Sequence, residues 1–197
     1  MAIDFMTMPL SRYLSGAYVT PAMAYAWGQG MAYFIVGPEG RRDLPPGQPF
    51  GGPDADANRE RFVPMLVDDL RSLPALAASM WDEASAAEPT FHRVDADSYA
   101  SLLEEASSRA KRPALPGLLG RRRPEAAHLA ATVFLPVAFD APFAMPVVFE
   151  RVAGSAPLAL GELEAGHWTP ASSSARGTLL AALRDAVRLR LPMVVDA

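Results

Sequence analysis

Residues 128–149, HLAATVFLPVAFDAPFAMPVVF, form the longest apolar stretch of the chain and constrain its fold most strongly. The stretch is close in length to a membrane-spanning helix. However, Pro136, Pro142 and Pro146 interrupt it, and Asp140 lies near its middle. Proline breaks a helix from within, and Asp-Ala-Pro is typical of a turn. The stretch therefore predicts strands joined by a turn, in a soluble protein without a membrane partner.

Helical and strand patterns alternate along the chain. Leu179 and Leu183 belong to an apolar stripe that predicts a helix over residues 173–189. Three consecutive strands are predicted, over residues 128–138, 145–152 and 157–163. Consecutive strands of this kind commonly pair as an antiparallel meander. We therefore predict an α+β fold with a mainly antiparallel central sheet and helices packed on one face.

The length and composition favour one domain. The chain has 197 residues, of which 50% are hydrophobic and 20% charged. That length fits a single domain, and that composition allows a sizeable core. We predict one α+β domain over residues 1–197, with irregular loops near residues 43–57 and 109–126, where glycine and proline are frequent.

Charge and cysteine content exclude several classes of function. The net charge is −4 and the isoelectric point is about 5.4. This charge argues against a general nucleic-acid binder, because such domains are normally basic. Cysteine is absent, which excludes disulfides, thiolate nucleophiles and iron–sulfur clusters. We expect no cofactor, no metal site and, if the partner is a protein, a basic one.

The usage of basic residues suggests a source. Lys111 is the only lysine, whereas arginine, alanine and proline are abundant. This composition is typical of a GC-rich bacterial genome. The N-terminal residues contain Asp4 before any apolar run and lack the positive start of a signal peptide. We therefore expect a bacterial, cytoplasmic protein.

Residues 43–56, DLPPGQPFGGPDAD, raise the question of whether a loop this rich in glycine and proline binds a ligand. A phosphate-binding loop needs a lysine after its last glycine, but Gly52 precedes Pro53 here. A surface connection, with Asp54 or Asp56 near the start of the next helix, is the simpler interpretation. The alternative is a loop that contacts a partner through these two aspartates.

His92, Asp95 and Asp97 form the pattern H-x-x-D-x-D where a predicted strand meets a predicted helix. A histidine beside carboxylates could act as a general base, with Asp95 or Asp97 as the group that orients it or as a metal ligand. The simpler interpretation is a strand histidine followed by an aspartate that caps the helix.

Six basic residues lie within residues 109–123, among them Arg121, Arg122 and Arg123. Such a density of positive charge could bind a phosphate or an acidic partner. Aromatic residues are absent there, so stacking on nucleic-acid bases is not supported. A solvated loop that balances nearby glutamates is the simpler interpretation.

Two hypotheses of function follow. The first is a non-catalytic interaction protein, either an adaptor or an immunity-type inhibitor that masks a partner protein through Arg121–Arg123 or through Asp54 and Asp56. It follows from the absence of an assembled catalytic motif and from the acidic charge. The second is an enzyme with a dispersed site, in which His92 is the general base.

Overall fold

The computed structural model describes residues 2–37, 40–76, 80–110, 127–145 and 151–196. Its strands are β1 (Ala2–Thr7), β2 (Tyr33–Gly37), β3 (Gly40–Leu44), β4 (Thr90–Asp95), β5 (Val133–Leu135), β6 (Phe143–Met145), β7 (Arg151–Ser155) and β8 (Met193–Asp196). Its helices are α1 (Leu10–Ser15), α2 (Pro21–Gly28), α3 (Ala55–Arg71), α4 (Ala96–Ala110), α5 (Ala156–Ala165) and α6 (Ser173–Leu189). Within these ranges no helix is both long enough and apolar enough to cross a membrane.

Six strands form the main sheet in the order β4-β1-β8-β5-β7-β6. Four of the five pairings are antiparallel, and β5 and β7 are parallel. The prediction of an α+β fold with a mainly antiparallel sheet is therefore confirmed. The predicted meander is wrong, because β7 lies between β5 and β6 and the consecutive strands β5 and β6 do not pair.

Both faces of the main sheet are covered. Side chains alternate along β5, so Phe134 packs among residues of α4, α5 and α6, such as Leu102 and Leu183. Val133 and Leu135 point the other way and pack with leucines of α1 and α3. The helices α4, α5 and α6 form the layer that the sequence predicts, and the layer of α1 and α3 is an addition to that prediction.

Residues 157–163 form most of helix α5, so the predicted strand there is wrong. The hydroxyl of Ser155 accepts the N–H of Leu158 at 3.3 Å and caps the helix. Proline stands in the first turn, where a missing N–H costs nothing. The buried positions Ala156, Ala159 and Leu163 are spaced by three and four residues, which is a helical rather than a strand period.

Strands β2 and β3 form a second, two-stranded sheet, which we call the ribbon. Nine of its ten residues are exposed or half-buried, and Leu44 is buried. The indole N–H of Trp27 in α2 donates to the carbonyl of Leu44 at 3.1 Å and ties the ribbon to the rest of the chain.

The two predicted loops have different outcomes. Residues 45–54 connect β3 to α3 without helix or strand, close to the loop predicted near residues 43–57. Helix α4 continues to Ala110, two residues into the loop predicted over residues 109–126. Residues 111–126 lie outside the described residues.

Candidate functional site

The loop of residues 45–54 lies tightly against the connection between α1 and α2. The N–H of Phe50 donates to the carbonyl of Tyr18, and that of Gly51 to the carbonyl of Gly16, both at 2.8 Å. The rings of Tyr18 and Phe50 stack at 5.4 Å. A Cβ on Gly51 would lie 2.0 Å from the carbonyl oxygen of Ser15, so only glycine permits this approach. The loop is therefore fixed in place and forms one wall of a cleft.

Residues 80–89 form the facing segment, and the carboxylate of Glu83 anchors it. Glu83 is 2% exposed. Its two oxygens accept the N–H of Leu10 at 3.1 Å and that of Ser11 at 2.7 Å, and the indole N–H of Trp81 donates to the same carboxylate. Helix α1 has no side-chain cap at Pro9, the residue before it. Glu83 therefore satisfies N–H groups that the start of α1 would leave without acceptors.

Two arginines hold the rest of this segment through its carbonyl groups. Arg12 donates to the carbonyl of Ala87 at 2.8 Å, and Arg59 donates to that of Ser85 at 2.7 Å. Burial, together with the nearby charge of Arg12, lowers the pKa of Arg59. Neither guanidinium has a carboxylate within ion-pair distance among the described residues. The segment is thus a second fixed wall.

Between these walls lies a cleft of about 400 Å³, which we call the loop cleft. The lining residues that carry charge or an aromatic ring are Arg12, Tyr18, Asp56, Glu88 and Phe91, and they are accompanied by Pro21, Pro49 and Pro89. Asp56 and Glu88 are exposed, and within the described chain neither forms an ion pair. With one arginine against two carboxylates, the lining carries a net charge of about −1 at neutral pH.

The predicted partner-binding residues separate in the structure. Asp56, in the first turn of α3, lines the loop cleft. Asp54 precedes α3 and is exposed, and its side chain makes no capping hydrogen bond. Arg121, Arg122 and Arg123 lie outside the described residues, so their role stays a prediction. Sequence reasoning missed Glu88, because a single glutamate before a proline carries no recognisable signal.

The carboxylate beside His92 is that of Asp185 in α6. The Nε2 atom of His92 lies 2.8 Å from an oxygen of Asp185, whose other oxygen accepts from Arg188 at 2.6 Å. Burial acts to raise the pKa of Asp185, but the hydrogen bonds from Arg188 and His92 outweigh it and hold that pKa below its ordinary value. This contact joins the edge strand β4 to α6.

Asp95 and Asp97 belong to the start of helix α4. The carboxylate of Asp95 accepts the N–H of Ser98 at 3.0 Å, which confirms that it caps α4 and lowers its own pKa. Asp97 is exposed in the first turn of α4. Within the described residues, no group of three or more histidine, aspartate and glutamate side chains could hold a metal ion.

A pocket of about 220 Å³ lies beside β4, and His92 is one of the residues that line it. Its lining includes Met6, Phe91 and Arg93. Phe91 and Arg93 alternate with His92 along the strand, so their side chains point away from α6. The imidazole of His92 contacts Asp185 of α6, on the face of β4 opposite to Phe91 and Arg93.

A row of charges crosses the sheet on the pocket side, and sequence reasoning missed it. Arg93 binds Asp4 through two hydrogen bonds of 2.7 and 2.6 Å. Asp4 lies opposite Asp196 on the neighbouring strand β8. The carboxylate of Asp196 accepts a hydrogen bond from the hydroxyl of Tyr13 at 3.1 Å. Arg151 donates to that hydroxyl at 3.0 Å. Burial and the charge of Asp196 raise the pKa of Tyr13 to about 12, so the Tyr13 hydroxyl keeps its proton at neutral pH and donates it to Asp196.

Comparison with known proteins gives no relative from which a function could be transferred. No protein-family model, curated protein or solved structure matches the chain. What the protein does has to be inferred from its own residues.

Proposed function

We propose that this protein is a non-catalytic bacterial cytosolic interaction protein, which holds a basic segment of a partner protein in the loop cleft. The observation that carries the proposal is the pair Asp56 and Glu88. Both carboxylates are exposed on one cleft, and neither forms an ion pair with an arginine of the described chain. By contrast, Asp4 and Glu164 form ion pairs with Arg93 and Arg184.

The cleft suits a lysine or arginine side chain of the partner. The apolar stem of such a side chain packs on aromatic and proline surfaces, while its charged end needs a carboxylate. Tyr18, Phe91 and Pro49 offer the surface, and Asp56 and Glu88 offer the carboxylates. Burial raises the pKa of Tyr18, so its ring stays neutral and adds no competing charge.

Preorganisation of both walls supports binding in the loop cleft. The loop wall is held by two backbone hydrogen bonds and a ring stack, and the facing wall by Glu83, Arg12 and Arg59. Fixed walls reduce the ordering cost of association. A chain with a net charge of −4 also attracts a basic partner at long range. An immunity-type inhibitor of a basic protein and an adaptor for one are the two forms of this proposal.

The test is capture of a partner from a bacterial lysate with the tagged protein and with two charge-matched variants. The first variant carries Asp56→Asn and Glu88→Gln. The control carries Asp68→Asn and Asp69→Asn, which remove the same charge from an exposed part of α3 outside the cleft. We expect one stoichiometric basic partner, whose affinity falls at least about tenfold in the cleft variant and stays within about threefold in the control.

Two outcomes would contradict the proposal. The first is that no protein is captured even at low salt, where charge attraction is strongest. The second is equal weakening in both double variants, since this would mean that only the total charge matters.

The alternative, an enzyme with His92 as general base, has one contact in its favour. Asp185 can hold the imidazole in one tautomer. His92 also lines the pocket beside β4, although the side chains of Phe91 and Arg93 in that lining lie on the opposite face of the strand. The alternative therefore stays a prediction.

A further inference from the structure

Large apolar side chains are exposed together around the ribbon. Tyr25 is 67% exposed, Met31 50%, Phe34 45% and Val36 74%. These four residues lie within 12 positions of the chain, at the end of α2 and along β2. Scattered apolar residues on a surface need no explanation, but a contiguous group of them marks an interaction site. Aromatic residues and methionine are also the types enriched in protein interfaces.

The outer edge of β2 is open. Within the described residues β2 pairs with β3 alone, and no backbone group of residues 33–37 forms a hydrogen bond outside the ribbon. Such an edge carries unpaired N–H and C=O groups that can accept another strand.

The two edges of the ribbon differ in their protection. Proteins discourage pairing at an exposed edge by placing charged residues on it. β3 has the sequence GRRDL and carries three charges, of which Arg41 is paired with Asp43 at 2.8 Å. β2 has the sequence YFIVG and carries none. The charge pattern therefore leaves β2 as the edge that is free to pair.

We propose that β2 binds β2 of a second copy of this chain, antiparallel and about a two-fold axis at Ile35. In this register Phe34 lies opposite Val36 of the second copy, and Ile35 lies opposite Ile35. Apolar residues then meet apolar residues across the axis, and such cross-strand pairs are stabilising. The same surface serves both copies, as a two-fold interface requires.

The opposite edge cannot pair with itself in the same way. An antiparallel pair of β3 strands centred on Arg42 would place Arg42 directly opposite Arg42 of the second copy, and like charges in that position are destabilising. In the β2 arrangement Arg41, Arg42 and Asp43 belong to the outer strands. The guanidinium of Arg41 reaches over the ring of Phe34, 4.0 Å from its centroid, and its charge is balanced by Asp43. Self-complementarity of β2, with no charge conflict, is what favours a second copy over an unrelated strand.

The size of the interface indicates which further residues take part. A stable interface buries about 800 Å² on each partner. A five-residue strand is only about 17 Å long, so the strand by itself does not reach this area. Tyr25 and Met31 adjoin β2 in the chain and are exposed, and we infer that they complete the contact. This inference does not rest on the loop cleft, whose carboxylates lie on other elements.

Sedimentation equilibrium over a range of protein concentrations tests the proposal. The wild-type chain is expected to form dimers, and Val36→Lys is expected to be monomeric because it places two ammonium groups at the shared edge. Met65→Lys is the control, since Met65 is an equally prominent apolar residue of α3 at 63% exposure, outside the ribbon. It should remain dimeric. Circular dichroism of each variant confirms that it is folded.

A second measurement fixes the register. The chain contains no cysteine, so a single Ile35→Cys substitution can form a disulfide only between copies. Directly opposed residues in an antiparallel pair have Cα atoms about 4.5–5.5 Å apart, which a disulfide can bridge. Mild oxidation should therefore convert Ile35→Cys to a covalent dimer, whereas Met65→Cys at the same concentration should not cross-link.

Three results would overturn the proposal. A wild-type chain that is monomeric at every concentration would leave the β2 edge to a strand of another protein. A dimer that persists in Val36→Lys would place the interface elsewhere. A dimer in which Ile35→Cys fails to cross-link would contradict the two-fold axis at Ile35.

Discussion

Strands β8 and β2 are similar in residue type, but β8 is buried and β2 is largely exposed. β8 has the sequence MVVD and β2 has YFIVG, and both consist mainly of β-branched, aromatic or other large apolar residues. Met193, Val194 and Val195 are buried, between β1 and β5. Phe34 and Val36 are exposed on a strand with one neighbour. An apolar run therefore predicts a strand but does not predict its burial.

The difference lies in the layers around each strand. The main sheet is covered by α4, α5 and α6 on one face and by α1 and α3 on the other, so both sides of each central strand lose contact with water. The ribbon contacts α2 on one side and solvent on the other. Regions with few buried contacts unfold locally at a small cost in free energy. We expect substitutions to have much larger effects in the main sheet than in the ribbon.

The strongest test of this contrast is Gly154→Ala in β7. A Cβ there would lie 2.6 Å from the Cβ of Ala131 and 2.8 Å from the carbonyl oxygen of His128. Forcing a methyl group into this space should lower the free energy of unfolding by about 3 kcal/mol, measured by urea denaturation. Gly161→Ala in α5 is the control, because its Cβ would meet no atom within 4 Å. The control should gain up to about 1 kcal/mol from helix propensity. Equal stability of the two variants would contradict the close approach.

A second test concerns the polar anchor beneath the loop cleft. Glu83→Ala removes the acceptor of the N–H groups of Leu10 and Ser11 and leaves them buried. We expect a loss of about 2–3 kcal/mol, since unsatisfied buried groups are costly. Thermal or urea unfolding measures it. The neighbouring Asp82→Ala should cost less than about 1 kcal/mol because Asp82 is exposed and accepts one local hydrogen bond, from Ala84. If Glu83→Ala lowered the free energy of unfolding by less than about 1 kcal/mol, water would have to accept the two N–H groups in place of the carboxylate.

The smallest effect is expected from one substitution made in both regions. Val→Thr keeps the shape of the side chain and replaces a methyl group with a hydroxyl. At Val194, which is fully buried, this should cost about 1–3 kcal/mol. At Val36 it should change the free energy of unfolding by less than about 0.5 kcal/mol, measured at a concentration where the chain is monomeric. A similar cost at both positions would mean that the ribbon is as well covered as the main sheet.

The local sequence was sufficient to predict several helices and strands. The helix predicted over residues 173–189 has those bounds in the structure, because its apolar stripe is long and regular. The strand that the sequence predicts at His92, before the helix, is β4. The helix α5 was mistaken for a strand because its leucines alternate with small residues, a pattern compatible with both periods. β1 was missed because its apolar segment is short, Pro9 follows soon after its end, and nothing local marks the strand as central.

The candidate site was only partly predictable, because local sequence does not show which distant residues meet. Asp56 could be proposed from its place in a polar loop, but its companions in the loop cleft come from distant parts of the chain. Likewise, His92 could be singled out by its chemistry, whereas its carboxylate partner is Asp185, 93 positions away. A short-range motif suggested Asp95 instead, and the backbone of α4 uses that carboxylate as a cap.

The sequence by itself determined the α+β class, the acidic charge, the absence of thiol chemistry and the bounds of its most regular helix, because periodicity, composition and charge act locally or add up over the chain. Tertiary structure decided the strand order, which apolar strand is buried, and which charges remain without a partner. These depend on pairings between residues far apart in sequence, where many alternative pairings have similar local energies. Only the packing of both layers on one sheet selects among them.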